Sequence, residues 1–185
     1  MNNWVTSDLH FGHKNIIKYE NRPFKDIEEM DKAIIELWNK TVKKDDKVYV
    51  LGDFSWYKGE KTNEILYKLN GNKFLIIGNH DKNFLDDKRF NKNLFEEICY
   101  YKEIKINKKK IVMFHYPIAE WNGQINGSIH LFGHIHTIKS NTSEYMNKLN
   151  NKYGYKCINV GIDVHKRLLN LEELLWIEMN LLWKD

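Results

Sequence analysis

Phe74-Leu75-Ile76-Ile77-Gly78-Asn79-His80-Asp81 decides how this chain is read. Four apolar residues that fit a buried strand stop at a glycine, and three side chains capable of metal or proton chemistry follow at once. The same order recurs upstream, where Trp4 to Ser7 runs into Asp8-Leu9-His10 and Val48 to Leu51 into Gly52-Asp53. Three strand ends therefore carry polar clusters. That arrangement belongs to α/β folds, in which sites gather beyond the carboxyl ends of strands and loops carry the chemistry.

Between the first two runs, Ile27, Met30, Ile34, Leu37 and Trp38 recur at helical spacing. Asp26 is placed to cap this helix, with Glu29 returning the bond three residues later. A second, shorter helix is expected over Thr62 to Asn70, with Leu66 and Leu69 inward and Gly71 as its stop. After Leu94 the chain reads as β-rich. Ile98 to Ile106, Lys110 to His115, Ile129 to Gly133 and Lys156 to Ile162 are strand-like, with no long helix between them. Asn122-Gly123 and Asn126-Gly127 mark turns. The polar 140–152 region offers Tyr145, Met146 and Leu149 for no more than a short amphipathic turn.

At 185 residues the chain has room for one compact domain, taken as residues 1–185, with no internal repeat. Charged residues at 29 % against 42 % hydrophobic ones describe a globular chain rather than a disordered one. Neither a membrane span nor a leader is recognisable from Met1 onward, so a cytoplasmic protein is expected. Cys99 and Cys157 sit in apolar or strand-like stretches and read as reduced, buried thiols. A net charge of +4 favours anionic substrates. Lys108-Lys109-Lys110 fits a solvated hairpin tip better than a nucleic-acid patch.

The histidines are not scattered. Six of the eight fall in or directly beside an ordered series: Asp8-x-His10, Gly52-Asp53, Gly78-Asn79-His80-Asp81, His115 and Gly133-His134-x-His136. Oxygen and imidazole donors drawn from distant parts of a chain, with one carboxylate to share, are what a two-metal hydrolase centre requires. In this series the chain resembles the calcineurin-like metallophosphoesterases, and the resemblance spans Asp8 to His136. His10-Phe11-Gly12-His13, Asn21-Arg22-Pro23-Phe24 and His115-Tyr116-Pro117 make it similar to the smaller bacterial and phage-type members.

The resemblance implies an α-β-β-α sandwich of two mixed sheets with flanking helices. It implies that Asp8, His10 and His136 hold one metal, that Asn79, His115 and His134 hold a second, and that Asp53 bridges them. The expected ions are Mn²⁺ first, with Fe²⁺, Zn²⁺ or Ni²⁺ as alternatives, since no thiolate is offered. A hydroxide between the metals would attack phosphorus directly, and His80 would serve as general acid or charge stabiliser. Protein-phosphatase relatives carry a second Asp three residues after the bridging one to orient that histidine, and here the position is Trp56. Asp81 is either the replacement or a loop carboxylate.

Arg22 is a candidate phosphate clamp or the partner in a surface salt bridge. His13 is expected to line the pocket, whereas His130 reads as structural. Asp163 and His165 are read either as late arrivals at the site or as solvent-facing residues. Trp56, Tyr57, Tyr116 and Trp121 offer stacking or mere packing. The expected reaction is hydrolysis of a small phosphomonoester or phosphodiester, nucleotide-derived esters among the candidates, with no membrane and no stable nucleic-acid partner. A nuclease and a catalytically silent scaffold are the alternatives, and an intact His80 speaks against the scaffold.

Overall fold

Alternation along the strands assigns every apolar side chain to one of two layers. In the computed structural model, which describes residues 1–175, β1 (Asn3–Thr6), β2 (Lys47–Val50), β3 (Asn72–Ile76) and β4 (Glu97–Cys99) run parallel. With antiparallel β9 (Leu169–Asn170) they form a sheet of order β4-β3-β2-β1-β9. A second sheet has the order β5-β6-β7-β8, built from β5 (Tyr101–Ile106), β6 (Lys109–Phe114), β7 (Ile129–Phe132) and β8 (Lys156–Asn159). Here β5 is antiparallel and the rest parallel, so both sheets are mixed.

Val5, Tyr49, Leu51 and Ile76 of the first sheet meet Ile111, Met113, Ile129 and Leu131 of the second in one buried cluster. The alternate residues Val48, Val50 and Leu75 pack outward against Met30, Ile34 and Trp38 of α2 (Ile27–Thr41) and Ile65 and Leu66 of α3 (Gly59–Lys68). On the far side, Val112, Phe132 and Cys157 pack against Met146 and Leu149 of α5 (Asn141–Tyr153). Period two in the strands and 3.6 in the helices thus yield four layers, α-β-β-α. Short helices α1 (Lys14–Tyr19), α4 (Lys82–Leu85) and α6 (Ile162–His165) lie in the loops. No helix among the described residues is long and apolar enough to cross a membrane.

Local expectations mostly hold, with instructive shifts. Asp26 caps α2 by accepting from the Glu29 N–H at 2.9 Å, but Glu29 reaches back to the Lys25 N–H at 2.8 Å rather than to Asp26. Helix α3 starts three residues earlier than Thr62, at Gly59. The run Ile98 to Ile106 is two strands, because the chain leaves one sheet at Cys99 and enters the other at Tyr101. Asn107 and Lys108 adopt positive φ at the tip of the β5–β6 hairpin, as expected for the lysine run. Cys99 is half-buried, Cys157 is buried, and both are free. Burial pushes both thiols up to about 11.

The largest correction is α5, a 13-residue helix where only a short turn was expected. Its polar composition hides it, and its ends and one clamp explain it. Ser140 and Ser143 form a reciprocal capping box, and Gly154 closes the helix with φ +67°. Asn150 donates to the Cys157 carbonyl and accepts from the Cys157 N–H, both at 2.8 Å, so a helix side chain stands in for a strand partner. Ser140→Ala should therefore cost about 0.5–2 kcal/mol, read as a lower urea midpoint with an unchanged m-value.

Candidate metal centre

Each candidate ligand lies just past the carboxyl end of a parallel strand: Asp8 and His10 after β1, Asp53 after β2, Asn79 after β3, His115 after β6, and His134 and His136 after β7. Two sheets thereby deliver donors to one place. Asp8, His10, Asp53, His134 and His136 all adopt positive φ, between 47° and 69°. For residues with a Cβ this conformation is strained, and such strain persists where surrounding contacts over-determine the backbone. Those contacts are present. The N–H groups of Asp8 and His10 donate to the carbonyls of Gly52 and Asp53 at 3.0 and 2.9 Å. The His134 N–H donates to the Asp8 carboxylate, at 3.0 Å to Oδ2. Gly52 has φ +84°, and a Cβ there would sit 2.6 Å from the Gly78 Cα, so the β2 and β3 loops touch only because both residues are glycine.

Asp53 is the hub. Its Oδ1 accepts from the His80 N–H at 2.9 Å and lies 3.7 Å from His115 Nε2, while its Oδ2 lies 3.7 Å from His10 Nε2 and 3.9 Å from His80 Nε2. His136 Nε2 stands 3.3 Å from His10 Nε2 and 3.9 Å from Asp8 Oδ1. Asn79 Oδ1 is 3.0 Å from His115 Nε2, and the His134 ring packs at 5.1 Å from that of His115. Asp8 with His10 and His136, and Asp8 with Asp53 and His115, each bring three donor atoms within 4.8 Å of one another.

Tautomers settle what these atoms can receive. His115 Nδ1 faces the Leu51 carbonyl at 2.7 Å and so carries a hydrogen, which directs Nε2 toward the oxygens of Asn79 and Asp53. His136 Nδ1 likewise faces Asp163 at 3.0 Å, leaving Nε2 to meet His10. A cation placed among these nitrogens and oxygens would meet several of their lone pairs at once. The donor set therefore fits metal.

Electrostatics agree. Burial raises the Asp8 pKa to about 6, with Asp53 adding to it, and burial plus the Asp53 carboxylate raise Asp81 to about 7. Burial lowers His10, reinforced by His136 and Arg22, and burial together with His115 lowers His134. Burial opposes protonation of His136 as well, but the Asp163 hydrogen bond and the Asp8 charge outweigh it, and its pKa is raised. A pocket that resists the charge of Asp8 and the protonation of His10 and His134 is completed by positive charge from outside the chain.

Three open readings close. Arg22 is 6 % exposed, and its guanidinium donates to both Asp163 oxygens and to the Leu9 and Asp8 carbonyls, all at 2.8 Å. The remaining N–H direction meets Met30 Sδ at 3.4 Å, so no donor is left for a phosphate: Arg22 is a buried brace, not a clamp. Asp163, read as an equal candidate for solvent, is 3 % exposed and joins Arg22 to His136 in a carboxylate–histidine relay. Asp81 accepts from the N–H groups of Gly78, Phe54 and Asp53 at 2.7, 2.8 and 3.0 Å, so it ties the two loops together and does not reach the His80 ring.

The ring that does meet His80 is Trp56, with centroids 4.5 Å apart, and its indole also stacks on His13 at 3.9 Å and 6°. His13 thus stands beside the centre, 5.2 Å from the His10 ring. His130 is fully buried and hydrogen-bonded as a structural residue, His165 bonds the Asn159 carbonyl, and Trp121 packs in the core with its indole N–H on the Ser128 carbonyl. Sequence separation hid Asp163: 141 residues divide it from Arg22.

Comparison with known proteins agrees with this geometry. The calcineurin-like phosphoesterase family matches residues 1–178. An uncharacterized protein, MJ1445, of Methanocaldococcus jannaschii is 37 % identical over 163 residues, covering 87 % of this chain and 81 % of that one. The gene 66 protein of Mycobacterium phage L5 is 28 % identical, covering 94 % and 92 %. Among solved structures, the protein of unknown function AQ665 from Aquifex aeolicus superposes with a TM-score of 0.70 at 28 % identity, covering 95 % and 98 %. With a match over nearly its whole length and Asp and His groups gathered at its strand ends, the chain belongs to the calcineurin-like phosphoesterases, a family of metal-dependent hydrolases.

Proposed function

We propose that the protein hydrolyses a small phosphomonoester or phosphodiester, with nucleotide-derived esters among the candidates, using two divalent ions. Asp8, His10 and His136 hold one, Asn79, His115 and His134 the other, and Asp53 bridges them. The observation that carries this reading is the Asp53 carboxylate, with one oxygen toward His10 and the other toward His115, each at 3.7 Å. Oxygen and imidazole donors without thiolate favour Mn²⁺, with Fe²⁺, Zn²⁺ and Ni²⁺ as alternatives. Such ions acidify a bound water and neutralise charge developing on phosphate.

The chain's own groups do the rest. His80 lies 3.9 Å from Asp53 Oδ2 and is 40 % exposed at its side chain, so it borders the centre and still reaches solvent. We assign it the proton for the leaving oxygen. Trp56 fixes its ring and that of His13, which we retain as a substrate contact.

A panel of nitrophenyl mono- and diesters and of 2′,3′- and 3′,5′-cyclic nucleotides, run with each metal, tests the activity. Hydrolysis that requires added metal is expected, and inactivity on every ester with every metal would favour the silent scaffold. The relay makes its own prediction: Asp163→Asn should weaken Mn²⁺ binding about 10–100-fold, as loss of outer-shell partners does. Titration followed by the paramagnetic signal of free Mn²⁺ measures it, and unchanged affinity would detach Asp163 from the centre.

A further inference from the structure

A cavity of about 740 Å³ adjoins the ligand cluster at Asn79 and His80, and Trp56, Lys58, Lys82 and Asn83 continue its wall. We propose that this cavity is the leaving-group subsite and that it selects leaving groups carrying a phosphate of their own. The inference rests on the phosphoesterase reading for the word leaving group, and on the cavity's own charges for the phosphate.

Hydrolysis breaks the bond between phosphorus and the leaving oxygen and forms one between phosphorus and the oxygen of water, whose proton passes to solvent. The leaving oxygen takes a proton from His80, so whatever it is attached to must lie on the His80 side. His80 is both 3.9 Å from Asp53 and part of the cavity wall, so the departing fragment is directed into that space.

The wall is built to present positive charge. Lys58 Nζ donates to Asn83 Oδ1 at 2.7 Å, and Asn83 Nδ2 donates in turn to the Trp56 carbonyl. A neutral amide thus holds the ammonium in place without cancelling it. Other lysines are held by carboxylates that cancel their charge, as Lys61 is by Glu64, Lys102 by Glu97 and Lys110 by Glu103. At the cavity rim Arg89 is held by Asp87 at 2.9 Å and by Glu60 at 3.1 Å. Two lysines, Lys58 and Lys82, then face one exposed carboxylate, Asp86. The Trp56 side of the wall supplies apolar surface for the organic part of the fragment.

The test uses the full chain before any metal is added, with ¹⁵N spectra read at the Trp56 indole N–H and the Asn83 amide. Adenosine 5′-monophosphate should shift both signals and bind at least about tenfold more tightly than adenosine, the scale of one charge-assisted contact. Lys58→Ala/Lys82→Ala should collapse that preference. Glycerol 3-phosphate as a third probe separates recognition of any organic phosphate from recognition of a nucleotide. Equal binding of the monophosphate and adenosine, or a preference that survives the double substitution, would overturn the proposal. Binding here needs neither metal nor turnover, so this arm can fail while nitrophenyl esters are hydrolysed, and can succeed if they are not.

Discussion

Asp53→Asn is expected to reduce metal-dependent ester hydrolysis by more than the about 10²–10³-fold that follows loss of a single transition-state donor. The side chain is 2 % exposed and nearly isosteric with its replacement, so the change is chemical rather than steric. One oxygen survives to accept from the His80 N–H, which keeps the loop in place. The other becomes an amide nitrogen facing His10 Nε2, and an amide cannot share two cations. Activity and metal content should fall together. Stability should move the other way, because the Asp53 charge raises the pKa values of both Asp8 and Asp81 and so opposes their ionisation. Metal-free Asp53→Asn is therefore predicted to melt no lower than metal-free wild type. A variant that loses activity by unfolding would show a lower Tm and would leave the hub assignment unsupported. Active sites that trade stability for function behave as predicted here.

His80→Ala carries the second large effect. Turnover should drop about 10²–10⁴-fold while Mn²⁺ affinity stays at the wild-type value, since His80 is assigned to the leaving oxygen and not to either metal. The loss should depend on the ester. A nitrophenolate departs without help, whereas an alkoxide needs a proton, so alkyl esters should suffer far more than nitrophenyl esters. Equal losses with both would make His80 a charge stabiliser and not an acid. Trp56, whose ring meets His80 at 4.5 Å, should show a milder version of the same pattern when replaced by Ala.

How far the sequence discloses this molecule depends on distance along the chain. The ligand series was legible because each donor sits directly after an apolar run, and a strand end is a local event. Layer membership was legible only through the family resemblance: alternation in Val48-Tyr49-Val50-Leu51 says that two faces are buried, not what covers each. The switch of sheets at Tyr100 was invisible, because a one-residue break inside a β-prone run leaves no turn chemistry. Helix α5 was missed for the opposite reason: only Met146 and Leu149 are buried, and its stability comes from a capping box and the Asn150 clamp rather than from an apolar stripe. Arg22, open between a phosphate clamp and a surface salt bridge, is an ion-pair partner but a buried one, and its partner Asp163 lies too far away in sequence to be foreseen.

The account turns on a pair of cations sharing Asp53. Anomalous diffraction from crystals grown with Mn²⁺ measures this most directly. Two peaks are predicted, one among Asp8, His10 and His136 and one among Asn79, His115 and His134, with the Asp53 carboxylate in contact with both. A single peak, or peaks beyond the reach of Asp53, would contradict it.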